Sequence, residues 1–320
     1  VWGQPLNGRP FEDPVRGASR ARSRCQVAVA RGLMRTLAVE VATGSYAIVG
    51  AAERPYPEAA GPPLLGVLDV VVRFGGVVAL GGVSFEVGRR QICGLIGPNG
   101  SGKTTLFNCI SGIYRCARGD IRFEGRSLTG LPRYRMVELG IGRTFQNLAL
   151  FRTMTVRENV LVGAHHLGRT GFVANALRVP AVRREEAAAE RKLRSLLDLL
   201  GLVEVADTPV SRLPFAVQKR VELARSLIGA PKLLLLDEPA GGLNHTEVDE
   251  LAELLRAIRS RFELSILLVE HHMNLVMRVS DKVVALEFGM KIADGTPDEV
   301  RREPEVIRAY LGEPENAGAA

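Results

Sequence analysis

Gly97-Pro98-Asn99-Gly100-Ser101-Gly102-Lys103-Thr104-Thr105 constrains this chain more than any other stretch. It fits G-x-x-x-x-G-K-[ST], a loop whose backbone wraps phosphate. Triphosphate oxygens are anionic acceptors that need many donors at close range. Gly97, Gly100 and Gly102 let the backbone curl so that its N–H groups point inward. A helix starting near Gly102 adds the positive end of its dipole. Lys103 brings a point charge to the β- and γ-phosphates, and the Thr104 hydroxyl is a ligand for Mg²⁺. The flanks agree: Gln91 to Ile96 reads as a buried strand and Thr105 to Ile110 as a helix. A Gly-rich turn that merely carries a lysine does not need both. The loop therefore implies ATP-type nucleotide binding.

The chain has 320 residues, of which 46% are hydrophobic. That is room for one large α/β domain, or for a core domain with a smaller insert. No apolar run approaches the roughly 18 residues of a membrane span. Even the apolar stretch from Thr36 to Ala52 contains Glu40, so any membrane role must come through a partner. The net charge of +7 is spread along the chain without a basic block, the pattern of a solvated surface; no nucleic-acid partner is expected. Cys25, Cys93, Cys109 and Cys116 form no C-x-x-C pair. Buried reduced thiols fit better than disulfides or zinc. His165-His166 and His271-His272 lack cysteine or acid partners at a recognised metal spacing, so zinc is set aside.

Residues 1–63 are rich in proline, arginine and glycine with little periodicity. They are expected to be a largely disordered extension, an upstream part of the reading frame, or the cut end of a larger protein. From Leu65 the pattern sharpens. Val67 to Phe74 and Val83 to Val87 are β-rich runs near Gly75-Gly76 and Gly81-Gly82, which predicts an antiparallel flap. Asp120 to Phe123 followed by Gly125 reads as another hairpin element. Residues 150–212 read as helical, with Leu193, Leu196, Leu197 and Leu200 as one stripe and Gly201 as its cap. Val217, Val221, Ala224 and Ile228 make a second stripe, and both predict core packing. Val248, Leu251, Leu254, Leu255 and Ile258 mark a further amphipathic helix.

Lys232 to Leu236 is an apolar run ending in Asp237 and Glu238, and Leu264 to Val269 ends at Glu270-His271-His272. Such runs suit central parallel strands covered on both faces. Ligand residues are expected at their carboxyl ends. Beside a phosphate loop, the first acid reaches Mg²⁺, and the second orients or deprotonates the attacking water.

The order of phosphate loop, Gln146, Asp237-Glu238 and His271 resembles the ATP-binding subunit of ABC transporters. The resemblance runs over about residues 65–312. It implies a P-loop ABC-type α/β ATPase core with an antiparallel β flap and a helical insert near 147–225, all within 64–312, followed by a tail at 313–320. It also implies roles. Phe74 stacks on adenine. Gln146 contacts Mg²⁺ or the lytic water and senses the transmembrane subunit. Glu238 is the catalytic glutamate, and His271 contacts the γ-phosphate. Gly241-Gly242-Leu243-Asn244 falls where the dimer-crossing D-loop lies, with Asn244 in place of the usual aspartate.

Three further stretches narrow the likeness: Leu95 to Gly100, Gly142-Arg143-Thr144-Phe145-Gln146, and the ending Val306-Ile307-Arg308-Ala309-Tyr310-Leu311-Gly312. With Glu238 to Asn244, they look like the LivG-type ATPases of branched-chain amino acid importers. That implies transmembrane permease partners, a second ABC ATPase, an indirect solute-binding protein, and a place at the cytoplasmic face of the plasma membrane. One segment departs. The signature, usually L-S-G-G-Q or L-P-Y-G-Q, is here Leu213-Pro214-Phe215-Ala216-Val217. In the dimer, Pro214, Phe215, Ala216 and Val217 would close over nucleotide bound to the other subunit. A methyl at Ala216 is tolerated if φ stays negative and obstructs closure if it does not. Export ATPases for lipid or glycan share the core motifs. Soluble ABC proteins acting on nucleic acid or ribosomes usually carry two cassettes or a long coiled coil, and this chain has neither pattern.

Overall fold

The computed structural model describes residues 61–144, 148–167 and 180–311. The expectations for residues 1–60, Cys25, Gln146 and the 313–320 tail lie outside that set. The chain opens with a hairpin of β1 (Leu65–Phe74) and β2 (Val77–Val87), turned at Gly75 with φ 57°. The second strand is longer than its sequence implied, because Gly81-Gly82 does not break it. Val70 faces Val83 while Val71 faces Gly81. Gly82, at φ 107°, is thus the extra residue of a bulge. After β3 (Ile92–Ile96) the phosphate loop leads into α1 (Lys103–Ile110). β4 (Arg118–Phe123) and β5 (Arg126–Ser127) are joined by Glu124 and Gly125 at φ 50° and 76°, the two positive angles of a tight hairpin turn.

A short α2 (Tyr134–Leu139) precedes β6 (Ile141–Arg143). The segment that read as continuously helical is broken into pieces. α3 (Val156–Val162) starts at a capping box of Thr155 and Glu158. α4 (Pro180–Leu199) and α5 (Phe215–Leu227) follow, separated by short 3₁₀ turns. Then come β7 (Leu233–Asp237), α6 (His245–Phe262), β8 (Ser265–Val269), α7 (Met273–Val279), β9 (Lys282–Glu287) and β10 (Met290–Gly295). The described chain closes with α8 (Pro297–Arg302) and α9 (Pro304–Leu311). Among the described residues, no helix is long and apolar enough to cross a membrane.

Two sheets result. The antiparallel one has the order β2-β1-β4-β5; the other runs β10-β9-β3-β8-β7-β6, parallel except for β10. Every residue of β3, β7 and β8 is buried, as expected of parallel strands covered on both faces. On one face, Leu193, Leu196, Leu197 and Leu200 of the predicted stripe join Val221, Ala224 and Ile228 in a single core. On the other, Leu106 and Phe107 of α1 pack with Val67, Phe85 and Phe123 of the antiparallel sheet.

The start of β3 is fixed by a buried cation. Arg259 of α6, 4% exposed, donates to both carboxylate oxygens of Asp281 at 2.9 Å. Asp281 Oδ2 also accepts from the backbone N–H of Ile92 at 2.8 Å. Asp281→Asn puts an amide donor against the guanidinium. It should lower unfolding stability by about 1.5–3 kcal/mol, the range for a hydrogen bond to a charged group, as read by urea denaturation.

Candidate nucleotide site

The phosphate loop leaves the buried end of β3 and is pressed from two sides. Gly97 has φ 150°, and a Cβ there would lie 2.2 Å from the carbonyl oxygen of Leu286. Gly102, at φ 102°, caps α1; a Cβ there would lie 2.7 Å from Leu80 Cδ2. Only glycine fits either position. Gly289, in the β9–β10 turn, donates to Ser101 O at 3.0 Å and accepts from Gly81 N at 2.9 Å. The loop is thereby strapped to the antiparallel hairpin.

Lys103 folds back over this loop. Its ammonium donates to the carbonyls of Gly97 at 2.7 Å and Pro98 at 2.8 Å. Burial lowers its pKa, against the pull of Glu238 and Asp237. Asp237 ends β7 with a buried side chain, and burial raises its pKa while Arg143 opposes the rise. Arg143, at the end of β6, donates to Asp237 Oδ2 at 3.2 Å, to Asn108 Oδ1 at 2.9 Å and to Ser111 Oγ at 2.8 Å. One guanidinium thus ties α1 to β7.

Glu238 follows with φ 48°, a costly backbone for a residue with a Cβ. Its Oε1 lies 3.8 Å from Nδ1 of His271, which follows β8. Its carbonyl accepts from Lys219 Nζ at 3.4 Å. Lys103, Asp237, Glu238 and His271 therefore come from the carboxyl ends of three adjacent strands. Thr104 is exposed in the first turn of α1. Phe74, at the tip of β1, is half-exposed and meets the Tyr114 ring edge-on, with centroids 5.1 Å apart. Gln146 lies outside the described residues.

The altered signature begins α5. Pro214 is its N-cap residue, and Phe215, Ala216 and Val217 form its first turn. Ala216 does not have a positive φ, so its methyl carries no backbone strain. Phe215 covers Gly242, where a Cβ would lie 2.9 Å from the ring. Gln218 donates its side-chain amide to Leu213 O at 2.8 Å. Asn244 caps α6 by accepting from Glu247 N at 3.0 Å, a task asparagine and aspartate perform equally well.

Three residues were missed by sequence reasoning. Arg143 was noted only as part of a familiar stretch. Tyr310 of α9 accepts the Gly97 N–H on its hydroxyl at 2.6 Å, across most of the chain, and burial raises its pKa. Glu270 is fully buried. Its side-chain oxygen and the His271 and His272 nitrogens lie within 4.8 Å of one another, but the carboxylate is engaged by backbone N–H groups. Cys93 and Cys109 are buried thiols, as expected, while Cys116 is partly exposed.

Residues 80–241 match the family model described as ABC transporter. Residues 290–316 match the model described as branched-chain amino acid ATP-binding cassette transporter. The chain is 46% identical over 251 residues to the high-affinity branched-chain amino acid transport ATP-binding protein LivG of Salmonella typhimurium, covering 78% of this chain and 98% of that protein. It is 43% identical to the corresponding BraF protein of Pseudomonas aeruginosa over the same shares. A crystallised ATP-binding cassette of an ABC transporter in its ADP conformation superposes with TM-score 0.69 at 28% identity, covering 79% of this chain and all of that one.

Tyr310→Phe keeps the ring and removes the acceptor, leaving the Gly97 N–H without this partner. An unmade buried hydrogen bond costs about 1–3 kcal/mol. ATP affinity, measured by calorimetry, should fall by about fivefold or more; an unchanged affinity would detach Tyr310 from the loop.

Proposed function

Because the chain belongs to the ABC transporter ATPase family, we propose that it is the ATP-hydrolysing subunit of an importer for branched-chain or closely related amino acids. The observation that carries the chemistry is the convergence of Lys103, Asp237, Glu238 and His271 at the ends of β3, β7 and β8. Hydrolysis of ATP needs little covalent help. It needs positioning, charge neutralisation and a base for the attacking water.

Gly97, Pro98, Asn99, Gly100, Ser101, Gly102 and Thr105 shape the phosphate cradle, and Lys103 turns from the loop carbonyls towards phosphate. The hydroxyl of Thr104 and the carboxylate of Asp237 are hard oxygen donors, the set that suits Mg²⁺; they would hold it, with Gln146. The ion would neutralise charge on the β- and γ-phosphates. Glu238 takes the proton of the attacking water, and His271 holds the γ-phosphate. Phe74, braced by Tyr114, stacks on adenine.

Pro214 to Val217 would close over nucleotide held by a second ABC ATPase, this chain or a relative, so that two ATP lie between two subunits. Closure and reopening would then move a pair of permeases. A groove lined by Val137, Phe151, Val162 and Pro231 supports that partner, because Val137, Phe151 and Val162 are exposed and apolar. Such a subunit sits at the cytoplasmic face of the membrane through its permeases, and a solute-binding protein delivers the cargo. The amino-acid assignment is supported by the relatives' similarity along nearly their whole length.

Glu238→Gln keeps the shape of the base but cannot accept the proton. ATP binding should persist, and turnover should fall by about 10²–10⁴-fold, the usual contribution of a general base. Co-expression with permease and solute-binding partners and uptake of labelled leucine into vesicles test the transport reading. Wild-type uptake by Glu238→Gln, or uptake indifferent to leucine, would refute it.

A further inference from the structure

We infer that Glu270 is a positioning residue that couples the turn after Glu238 to the loop carrying His271. The inference rests on reading Glu238 and His271 as the hydrolytic pair. Glu270 follows the last residue of β8 and is 0% exposed. A carboxylate is costly to bury unless its oxygens are hydrogen-bonded. Here they are taken by the backbone of two different loops. Oε1 accepts from Ala240 N at 2.7 Å. Oε2 accepts from His271 N at 3.1 Å and His272 N at 3.3 Å.

The placement matters because β7 and β8 are parallel neighbours, with Asp237 beside Val269. Glu238 donates its own N–H to Val269 O at 2.9 Å. Two residues on, Ala240 is held by Glu270. The strained Glu238 backbone is thus clamped before and after by the end of β8. The same carboxylate holds the peptide of His271. The 3.8 Å between Glu238 Oε1 and His271 Nδ1 therefore depends on one buried side chain whose oxygens are engaged by backbone N–H groups. The two oxygens divide the work, one per loop. A glutamine has a single acceptor oxygen, so it can serve one loop and must present an amide donor to the N–H groups of the other.

The test uses the full chain. Glu270→Gln, nearly isosteric, and Glu270→Ala are compared with wild type for kcat, KM, ATP dissociation constant and thermal midpoint. Each is also combined with His271→Ala. The expected result is a kcat reduced on the order of tenfold for Gln and 100-fold for Ala, the scale of a roughly 1 Å misplacement of catalytic groups. ATP affinity should fall far less than kcat, because the phosphate loop is untouched and only the His271 grip on the γ-phosphate shifts. Losses in the double variants should be smaller than the product of the single losses, since Glu270 acts through the histidine's position. Wild-type kcat in Glu270→Gln and Glu270→Ala would overturn the inference. So would a parallel loss of ATP affinity, or losses that multiply, as a purely structural role would give. If Glu270→Ala does not fold, Glu270→Gln carries the test alone. A Glu238→Gln protein that hydrolyses ATP at the wild-type rate removes the pair itself. An inactive Glu238→Gln beside fully active Glu270 variants removes only the coupling.

Discussion

The parallel register of three buried strands is the constraint on which the site depends. Leu95 of β3 and Asp237 of β7 both lie beside Val269 of β8. Neighbouring strands are about 4.8 Å apart, so the three strands leave the sheet level with one another along one edge. Gly97, Glu238 and His271 are each only a residue or two beyond that edge. The spacing of the strand ends that carry them is a property of backbone hydrogen bonding and apolar burial. No polar contact has to assemble the site from distant pieces, and the polar contacts refine a spacing already set.

Refinement is where the buried charges act. Arg143 joins Asp237 to Asn108 and Ser111, so the acid at the end of β7 and the helix after the phosphate loop share one rigid link. The side chains of both ions are nearly buried, and desolvation is offset only because the guanidinium finds several acceptors at once. Arg259 does the same at the opposite end of β3, gripping Asp281 and through it Ile92. The strand that launches the phosphate loop is therefore fixed at its start by an ion pair and at its end by glycine contacts.

What was legible in the sequence was local. The loop at 97–105, the acids at 237–238 and the leucine stripe at 193–200 each announce themselves within a few residues, because the chemistry or the helical period demands adjacent residue types. Gly81-Gly82 reads as punctuation that would shorten β2; only its pairing with Val70 and Val71 reveals a bulge. Helix over 150–212 was overstated because amphipathic spacing does not mark where a chain turns. The sequence leaves Ala216 open between a tolerated methyl and an obstructing one, and the backbone at the start of α5, without a positive φ, decides for the former. Tyr310 and Arg143 were noticed as letters in familiar stretches, yet their bonds to Gly97 and Asp237 connect segments far apart in the chain, and no window of sequence displays them. Glu270 read as the end of an apolar run, and its burial is what turns it into a structural acceptor.

Gly289 sits between Ser101 on the phosphate loop and Gly81 on the hairpin whose tip carries Phe74. A Cβ at Gly289 would lie 2.6 Å from Ala79 O, so the contact is as close as backbone allows. The two sheets are therefore spot-welded at one point beside the loop. If Phe74 takes the base as proposed, the span from that ring to the phosphate loop is a fixed gauge cut into the protein, against which a nucleotide would be measured.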